Sequence, residues 1–328
     1  MKIAVFSTKP YEKEFLEKAN DQTHQLTYFS KSLSLEYVRD AKGFDGVCCF
    51  VSDCLNEPVI KKLSENGIRF ITLRSAGYDH VDMNAVKKYN MIVMRVPRYS
   101  PEAIAEFALG LILALNRKII TAYQQGLDYN FSLNGLMGFN LQKKTIGIVG
   151  TGHIGTAFAK ILQGFSCRLL AFDVAQNDVC KKLNVQYVSL QELLNQSDIV
   201  SLHCPLNDET RYLINKNTIS QMKPGAMLIN TARGGVVETQ ALIDALQSHQ
   251  LSAAGLDVYE HEKNIFFIDH RGTDIKKDNL LSILQSIPNV IVTPHQAFLT
   301  EEAMCMIAKT TIENMTGYET GKILNQIL

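Results

Sequence analysis

Length, composition and charge already limit what this chain can be. Its 328 residues, 46% of them hydrophobic, are enough for two domains with separate cores and show no composition typical of disorder. The 33 Lys and Arg residues balance the 33 Asp and Glu residues, which argues against a nucleic-acid partner and favours a small ligand.

The first hundred residues alternate between apolar runs and segments with a helical pattern. The apolar runs are KIAVFS, QLTYFS, GVCCFV, RFITLRS and MIVMRVP. Runs of this length, separated by helical segments, predict the strands of a smaller α/β unit.

A long helix is predicted from Pro101 to about Ile119. Ser100 is suited to the N-cap and Pro101 to the first helical position. Because the segment is apolar on most faces, we expect it to join two units and to be buried, either in domain packing or against another subunit.

Six apolar runs between Thr145 and His295 each end in a short polar or glycine-rich signature. They close as TIGIVGTGHIG, RLLAFD, IVSLHCP, AMLINTARGG, SAAGLDVYEHE and VIVTPHQ. Near-continuous apolar segments that alternate with helical ones predict a parallel sheet covered on both faces. Ligands of such sheets bind outside the carboxyl ends of the strands, so the six signatures point to one site.

The polar stretch from His261 to Asn279 is predicted to be an irregular surface loop.

The chain after His295 has a helical pattern that starts with Thr300 and two glutamates. Since this segment follows the last strand of the larger unit, we expect it to fold back against the first unit. The predicted domains are therefore residues 1–99 with 297–328, which form a discontinuous domain, and residues 100–296. The predicted fold class is α/β, with two Rossmann-like or flavodoxin-like domains, each a mostly parallel sheet flanked by helices, and a cleft between them.

No segment has the pattern of a signal peptide or a membrane span. The apolar start is broken by Lys9 and Pro10, and the stretch from Phe107 to Asn116 is shorter than the roughly 20 residues that a span requires. The seven cysteines are scattered, which is typical of small buried hydrophobic residues in a reducing compartment. The eight histidines are dispersed, so no metal site is predicted. We expect a cytoplasmic protein that uses an organic cofactor or none.

Three glycines, Gly150, Gly152 and Gly155, follow a predicted strand and open a helix. The first permits a tight turn, the second lets a pyrophosphate approach the backbone, and the third lets the helix lie close to the sheet. The next strand ends in Asp173, eighteen residues beyond Gly155, where an acid can bond the ribose hydroxyls. Residues 174–176 contain no Arg for a 2′-phosphate, which favours NAD over NADP. The alternatives are a tight turn without a ligand for the glycines and an ordinary helix cap for Asp173.

Three charged residues lie at the ends of predicted strands. Arg233 precedes two glycines, and the planar fork of donors on its guanidinium suits a carboxylate. Glu262 follows the run GLDVY, and His295 directly follows the run VIVTP. A histidine backed by a carboxylate is the arrangement that a proton donor and acceptor near neutral pH requires. Taken singly, a histidine after a strand, such as His295, is more often a satisfied structural residue, and an arginine in a loop, such as Arg233, is usually solvated.

Together, TARGG, DVYEHE and TPHQAF on successive strands resemble the D-isomer-specific 2-hydroxyacid dehydrogenases, over nearly the whole chain. The segments VSDCLNEP, RSAGYDHVD, RVPRYSPEAIAE, SLHCPL, NTARGG, GLDVYEHE and HQAFLTEEA look most like those of the fermentative D-lactate dehydrogenases. One departure is Pro294, which the broader family shares and where the fermentative enzymes can carry glycine.

The resemblance implies a role for each of these residues. His295 is the acid and base, Glu262 orients it and favours its charged form, and Arg233 binds the substrate carboxylate. Asp257 accepts a hydrogen bond from the nicotinamide carboxamide. Backbone groups of the smaller domain help to hold the substrate, and two aromatic side chains line its pocket. The implied substrate-binding residues are Ala76, Gly77, Tyr99, Arg233, His295 and Phe298. The implied cofactor-binding residues are Gly150, Gly152, His153, Ile154, Gly155, Asp173, His203, Cys204, Pro205, Thr210, Thr231, Ala232, Asp257, His295 and Ala297.

The implied activity is reversible, NAD-dependent hydride transfer between NADH and pyruvate, giving D-lactate. Residues 1–99 with 297–328 would then form the substrate domain and residues 100–296 the NAD-binding domain. One alternative is a dehydrogenase for a bulkier 2-keto acid, and another, from a different class, is an NAD-sensing protein that binds partners. By analogy, the chain is expected to form a homodimer or a homotetramer, with no nucleic-acid, membrane or metal partner.

Overall fold

The computed structural model of the chain describes residues 1–263, 265–272 and 278–327. Its internal contacts divide the chain into two compact units. One unit comprises Met1–Ser100 together with the chain from Leu299 onward, and the other comprises Pro101–Phe298. The first unit is therefore built from two separate stretches of sequence.

The smaller unit contains a five-stranded sheet in which every neighbouring pair of strands is parallel. The strands are β1 (Lys2–Val5), β2 (Gln25–Tyr28), β3 (Gly46–Cys49), β4 (Phe70–Leu73) and β5 (Ile92–Met94), in the order β2-β1-β3-β4-β5. The helices between them are α1 (Pro10–Asn20), α2 (Glu57–Glu65) and α3 (Met83–Lys88). Each of the five apolar runs forms one strand, which confirms that prediction.

The larger unit contains a seven-stranded parallel sheet. Its elements are α4 (Pro101–Asn116), α5 (Ile119–Leu127), β6 (Thr145–Val149), α6 (His153–Leu162), β7 (Arg168–Phe172), α7 (Asp178–Lys182), β8 (Gln186–Tyr187), α8 (Leu190–Gln196), β9 (Ile199–Leu202), α9 (Lys216–Ile219), β10 (Ala226–Asn230), α10 (Thr239–Gln247), β11 (Leu251–Leu256), α11 (Asn279–Ser286) and β12 (Val290–Val292). The strand order is β12-β11-β10-β9-β6-β7-β8. The six predicted strands are present, and β8 is an additional edge strand whose two residues are too few to give a periodic signal.

Strand β10 shows why the central strands are mainly apolar. All five of its residues are buried, with Leu228 in the cluster of apolar side chains on one face and Met227 and Ile229 in the cluster on the other. Because helices cover both faces of a parallel sheet, side chains on both sides of such a strand are buried and therefore mostly apolar. The one polar side chain, Asn230 at the end of the strand, forms hydrogen bonds with the following loop.

The predicted helix after Ser100 is shorter than expected. Helix α4 begins at Pro101 and ends at Asn116, because Lys118 adopts a left-handed backbone conformation with a φ of 54°. A second helix, α5, then begins at Ile119 and buries none of its residues. The helix and its start at Pro101 were therefore predicted correctly, but its end near Ile119 was wrong and α5 was not predicted.

The chain returns to the smaller unit through α12 (Glu301–Glu319). The side chain of Thr300 accepts a hydrogen bond from the backbone N–H of Ala303, as expected for an N-cap. The buried residues Ile312 and Met315 belong to the same cluster of apolar side chains as Ile3 of β1 and Phe70 of β4. The C-terminal helix thus lies in the same compact unit as the first hundred residues.

All seven cysteines are unpaired, but they are not all buried. Cys48, Cys49, Cys180 and Cys204 are buried, whereas Cys54 and Cys167 are half-buried. Cys305 is exposed, because it lies on the outer face of α12 and its neighbours Ala303 and Met304 face inward.

In the described parts of the chain, no helix is both long and apolar enough to cross a membrane.

Candidate active site

The polar signatures of the larger unit follow strands whose neighbours all run in the same direction. The loops after β6, β7, β9, β10, β11 and β12 therefore lie at one edge of the sheet, the edge formed by the carboxyl ends. The structure brings the predicted residues of these six loops to this edge.

The three glycines after β6 differ in what their local surroundings require. A side chain at Gly150, whose φ is 93°, would lie 2.7 Å from the backbone nitrogen of Cys204. A side chain at Gly155 would lie 2.0 Å from the carbonyl oxygen of Gly150. A side chain at Gly152 would meet no protein atom within 4 Å. Protein packing accounts for the first and third glycines, and the open space at Gly152 fits the approach of a pyrophosphate.

The helix that follows the glycine loop supports the same interpretation. Gly152 is the N-cap of α6, and His153 and Ile154 form the start of its first turn. The N–H groups at the start of a helix have no partner within the helix and attract anions. These residues therefore fit the phosphates of a dinucleotide.

Asp173 is held in place by the glycine loop. Its Oδ2 accepts hydrogen bonds from the backbone N–H of Thr151 at 2.5 Å and from the Thr151 hydroxyl at 3.1 Å. The Tyr187 phenol donates to the same hydroxyl at 2.8 Å, and the backbone N–H of Asn177 donates to the phenol at 2.8 Å. A chain of three hydrogen bonds thus ends on the carboxylate that was predicted to bind the ribose. Sequence reasoning missed Thr151, Tyr187 and Asn177, although Thr151 lies inside the glycine signature.

The loop after β9 begins with a buried histidine. His203 Nε2 lies 2.9 Å from the hydroxyl of Ser201, and no described group bonds its buried Nδ1. Burial lowers the pKa of His203 to about 3 and raises the pKa of the Cys204 thiol to about 11. Further along, the hydroxyl of Thr210 donates to the carbonyl of Pro205 at 2.6 Å and so closes this loop.

The loop after β10 carries Arg233 and is fixed by the last residue of the strand. The buried Asn230 side chain donates to the carbonyl of Arg233 at 2.9 Å and accepts from the N–H of Ala232 at 3.0 Å. A side chain at Gly234 would lie 2.1 Å from the carbonyl carbon of Tyr259. The glycine therefore lets this loop lie directly against the loop after β11. Thr231 is buried in the same loop, and its hydroxyl oxygen bonds no described group.

Asp257 organises the backbone around His295. Its Oδ1 accepts from the hydroxyl of Thr293 at 2.6 Å and from the N–H of Gln296 at 2.9 Å, and its Oδ2 accepts from the N–H of Ala297 at 2.8 Å. His295 has a φ of 57°, a conformation that costs a non-glycine residue about 1–3 kcal/mol and persists only where its surroundings hold it. Burial raises the pKa of Asp257, and the three hydrogen bonds oppose that effect.

Glu262 and His295 form a directly bonded pair. Glu262 Oε1 lies 2.8 Å from His295 Nδ1, and Glu262 Oε2 accepts the N–H of Tyr259 at 2.9 Å. Because the carboxylate accepts the hydrogen of Nδ1, Nε2 is the nitrogen that can exchange a proton with a ligand. The ring of Phe267 lies 5.5 Å from the imidazole, between ring centroids. No sequence pattern indicates Phe267, because its contact with His295 depends on how the loop folds.

The remaining predicted residues are divided between the two units. Ala76, Gly77 and Tyr99 belong to the smaller unit, and Phe298 is the last residue of the larger one. Ala76 and Gly77 are half-buried in the loop after β4. The Arg95 guanidinium donates to the carbonyl of Ala76 at 2.8 Å, a contact that the sequence analysis did not foresee.

Comparison with known proteins gives consistent matches. A family model described as the NAD-binding domain of D-isomer-specific 2-hydroxyacid dehydrogenases matches residues 109–297. The chain is 44% identical over 323 residues to D-lactate dehydrogenase of Escherichia coli K12, which covers 98% of both chains. It is 46% identical over 326 residues to D-lactate dehydrogenase kk1H of Curvularia clavata, which covers 98% of this chain and 93% of the relative.

Three solved structures resemble the chain over its whole length. The apo-structure of D-lactate dehydrogenase from Escherichia coli has a TM-score of 0.90 at 42% identity and covers 100% of both chains. A D-lactate dehydrogenase with NAD+ from Lactobacillus jensenii has a TM-score of 0.83 at 36% identity, covering 100% of this chain and 99% of that one. A D-2-hydroxyisocaproate dehydrogenase has a TM-score of 0.85 at 32% identity, with the same coverage.

Proposed function

Because the chain belongs to the D-isomer-specific 2-hydroxyacid dehydrogenase family, we propose that it is an NAD-dependent D-lactate dehydrogenase that interconverts pyruvate and D-lactate. The observation that carries this proposal is the 2.8 Å contact between Glu262 and His295 Nδ1. That contact leaves Nε2 for proton exchange in a chain that is 44% identical to the Escherichia coli enzyme over 323 residues.

The proposed acid and base is His295. Reduction of a keto acid requires a proton at the carbonyl oxygen, and the protonated imidazole donates it from Nε2. Glu262 stabilises the imidazolium and fixes the ring orientation from the opposite side. In the reverse direction, neutral His295 accepts the proton of the hydroxyl group.

The proposed carboxylate ligand in the larger unit is Arg233. Its guanidinium offers donors in a planar fork that matches the two oxygens of a carboxylate. Asn230 fixes the backbone on both sides of the position from which this side chain projects. In the smaller unit, the backbone of Ala76 and Gly77 is proposed to bind the same group.

The proposed cofactor residues belong to the loops at the carboxyl edge of the seven-stranded sheet. The cofactor of the family is NAD, which supplies the hydride in its reduced form when bound. We propose that Gly152 and the first turn of α6 hold the pyrophosphate and that Asp173 bonds the ribose hydroxyls. Residues 203–205, 231–232 and 297 and Thr210 complete this set. Under this proposal the unit Pro101–Phe298 carries NAD and the other unit carries the substrate-binding loop.

Asp257 is proposed to have two tasks. The resemblance implies that it accepts a hydrogen bond from the nicotinamide carboxamide. In addition, both of its oxygens accept hydrogen bonds from the turn that carries His295. A carboxylate has about four acceptor positions, so three internal bonds leave room for one more.

A second candidate function is reduction of a bulkier 2-keto acid. The likeness to D-2-hydroxyisocaproate dehydrogenase, at 32% identity and a TM-score of 0.85, supports this alternative. The likeness to the D-lactate dehydrogenases of Escherichia coli and Curvularia clavata, at 44% and 46% identity, supports pyruvate instead. Tyr99 and Phe298 are proposed to line the pocket that decides between the two.

We also propose that the protein forms a homo-oligomer through an apolar segment of the larger unit. Helix α5 buries no residue, and the chain that follows exposes large apolar side chains. The exposed fractions are 87% at Tyr129, 83% at Leu133 and 91% at Met137. Such a patch marks an interaction surface, and we propose that a second copy of the chain binds there.

We further propose a cytoplasmic location, supported by seven cysteines of which none is paired.

The proposed function is tested by measuring NADH oxidation with pyruvate, phenylpyruvate and oxaloacetate and by determining the chirality of the product. The highest kcat/KM with pyruvate, and a D-product, are expected. A preference for phenylpyruvate would favour the second candidate, and an L-product would contradict the assignment. If no keto acid were reduced, a role as an NAD-sensing binding protein would replace the proposal.

A further inference from the structure

The loop after β4 contains two consecutive peptide units with the same pattern of hydrogen bonds. The carbonyl of Ala76 accepts from Arg95 Nη1 at 2.8 Å, and the carbonyl of Gly77 accepts from the hydroxyl of Ser75 at 2.7 Å. The N–H groups of the same two peptide units belong to Gly77 and Tyr78. Within the described part of the chain, neither of these N–H groups donates a hydrogen bond.

A hydrogen bond to a carbonyl strengthens the donor at the other end of the same peptide unit. Hydrogen bonds polarise one another along a chain, and bonds to an ionised group are about twice as strong as neutral ones. The cationic guanidinium of Arg95 therefore makes the N–H of Gly77 a stronger donor. Because neither N–H group donates to an acceptor in the described part of the chain, both are available to a ligand.

Arg95 is itself fixed by the C-terminal part of the chain. Its backbone N–H donates to the carbonyl of Asn325 at 3.1 Å, and its carbonyl accepts from the side chain of Asn314 at 2.9 Å. Asn314 is fully buried on α12. The guanidinium also lies 5.2 Å from the ring centroid of Tyr78, which adds a second contact to the same loop. The end of the chain thus supports the loop through one arginine.

We propose that Arg95 is a positioning residue for the substrate carboxylate: it orients and polarises the peptide unit between Ala76 and Gly77, whose N–H bonds one carboxylate oxygen. The inference rests on the proposed function, because a keto acid is the ligand. Arg95 acts through the peptide and does not touch the substrate. The hydroxyl of Ser75 performs the same task, without a charge, for the next peptide unit.

The test compares Arg95→Met with Arg95→Lys and with a control, Arg69→Met. Arg69 also donates to backbone carbonyls of the smaller unit, those of Ser64 and Ile68, but it precedes β4 and does not bond the loop. The measurements are KM and kcat with pyruvate, and the Kd values of NADH and of oxamate from NADH fluorescence. Oxamate carries the carboxylate of a keto acid and cannot accept a hydride.

For Arg95→Met, the KM for pyruvate and the Kd of oxamate should rise about 2- to 10-fold, because the bond between the Gly77 N–H and the carboxylate is weakened and less well oriented but is not removed. The Kd of NADH should be unchanged, and kcat should change far less than KM. Arg95→Lys should recover part of the loss, because it restores a charged donor. Arg69→Met should behave as the wild type.

Wild-type oxamate affinity in Arg95→Met would overturn the inference, and so would an equal loss of NADH and oxamate affinity, which indicates a general structural role. If Arg95→Met does not fold, Ser75→Ala tests whether hydrogen bonds to these carbonyls support carboxylate binding. The expected rise in the KM for pyruvate is about 2- to 10-fold, for the loss of one neutral hydrogen bond.

Wild-type turnover tests the proposed function separately. If the wild type binds oxamate but reduces no keto acid, that function fails and the oxamate measurements still decide the role of Arg95.

Discussion

Glu262 fixes His295 from one side only: its Oε1 lies 2.8 Å from Nδ1, while its Oε2 is held by the backbone N–H of Tyr259. The carboxylate therefore cannot turn away from the imidazole without losing a second hydrogen bond. Asp257 holds the backbone next to His295 through the N–H groups of Gln296 and Ala297. Side chain and backbone of the proposed acid and base are thus oriented by different carboxylates.

Removal of the imidazole should abolish most of the proposed activity. We expect His295→Ala to lower kcat by roughly two to four orders of magnitude, the usual contribution of a general acid and base, with the Kd of NADH little changed. His249→Asn is the matched control, because His249 is exposed and its φ of 61° is a conformation that asparagine tolerates. Steady-state kinetics decide the matter: turnover close to that of the wild type in His295→Ala would remove His295 from the reaction.

Arg233→Lys separates charge from geometry. Lysine keeps the positive charge and loses the planar fork, so we expect the KM for pyruvate to rise about tenfold or more while the Kd of NADH stays the same. Arg168→Lys serves as the control, because Arg168 is exposed on β7 and its guanidinium bonds the side chains of Gln186 and Gln196, away from the proposed site. An unchanged KM for pyruvate in Arg233→Lys would show that the carboxylate binds elsewhere.

The hydrogen-bond chain that ends on Asp173 should influence cofactor binding. Tyr187→Phe removes the donor to the Thr151 hydroxyl, and we expect the KM for NADH to rise about 2- to 10-fold with the KM for pyruvate unchanged. Thr151→Val, which removes a direct donor to Asp173, should have at least the same effect and should also reduce the preference for NADH over NADPH. Tyr89→Phe in the smaller unit is the control, and equal kinetics in all three variants would refute the coupling.

The division between what the sequence predicts and what it misses has a physical cause. Strand β10 was predictable because burial on both faces selects apolar residues. Gly150 and Gly155 after β6 were predictable because the backbone around them leaves no room for a Cβ atom. Tyr187 and Arg95 were not predictable as supporting residues. Each acts through a contact between segments distant in sequence, to Thr151 and to Ala76 respectively, and such contacts leave no periodic pattern.

The exposed apolar segment should control assembly. Met137→Glu places a charge at a side chain that is 91% exposed, so the fold of a single chain should be unaffected. If a second copy covers this surface, the variant should sediment as a smaller species than the wild type at the same concentration. The control is Leu35→Glu, at an exposed apolar side chain of the smaller unit, and it should leave the sedimentation coefficient unchanged. Identical sedimentation of Met137→Glu and the wild type would remove this segment from the interface.

His203 should make the free energy of unfolding depend on pH in the acidic range. Burial lowers the pKa of His203 to about 3 in the folded protein, whereas an exposed histidine titrates near 6.5. Between these values the unfolded chain binds a proton that the folded chain does not. The stability that neutral His203 contributes is therefore present above pH 6.5 and is lost as the pH falls towards about 3.

In His203→Gln, the slope of the unfolding free energy against pH should be shallower by up to about 1.4 kcal/mol per pH unit. Urea titrations between about pH 4 and pH 6 measure this slope, and His249→Asn provides the control. Equal slopes in His203→Gln and the wild type would mean that His203 titrates alike in the folded and unfolded chains.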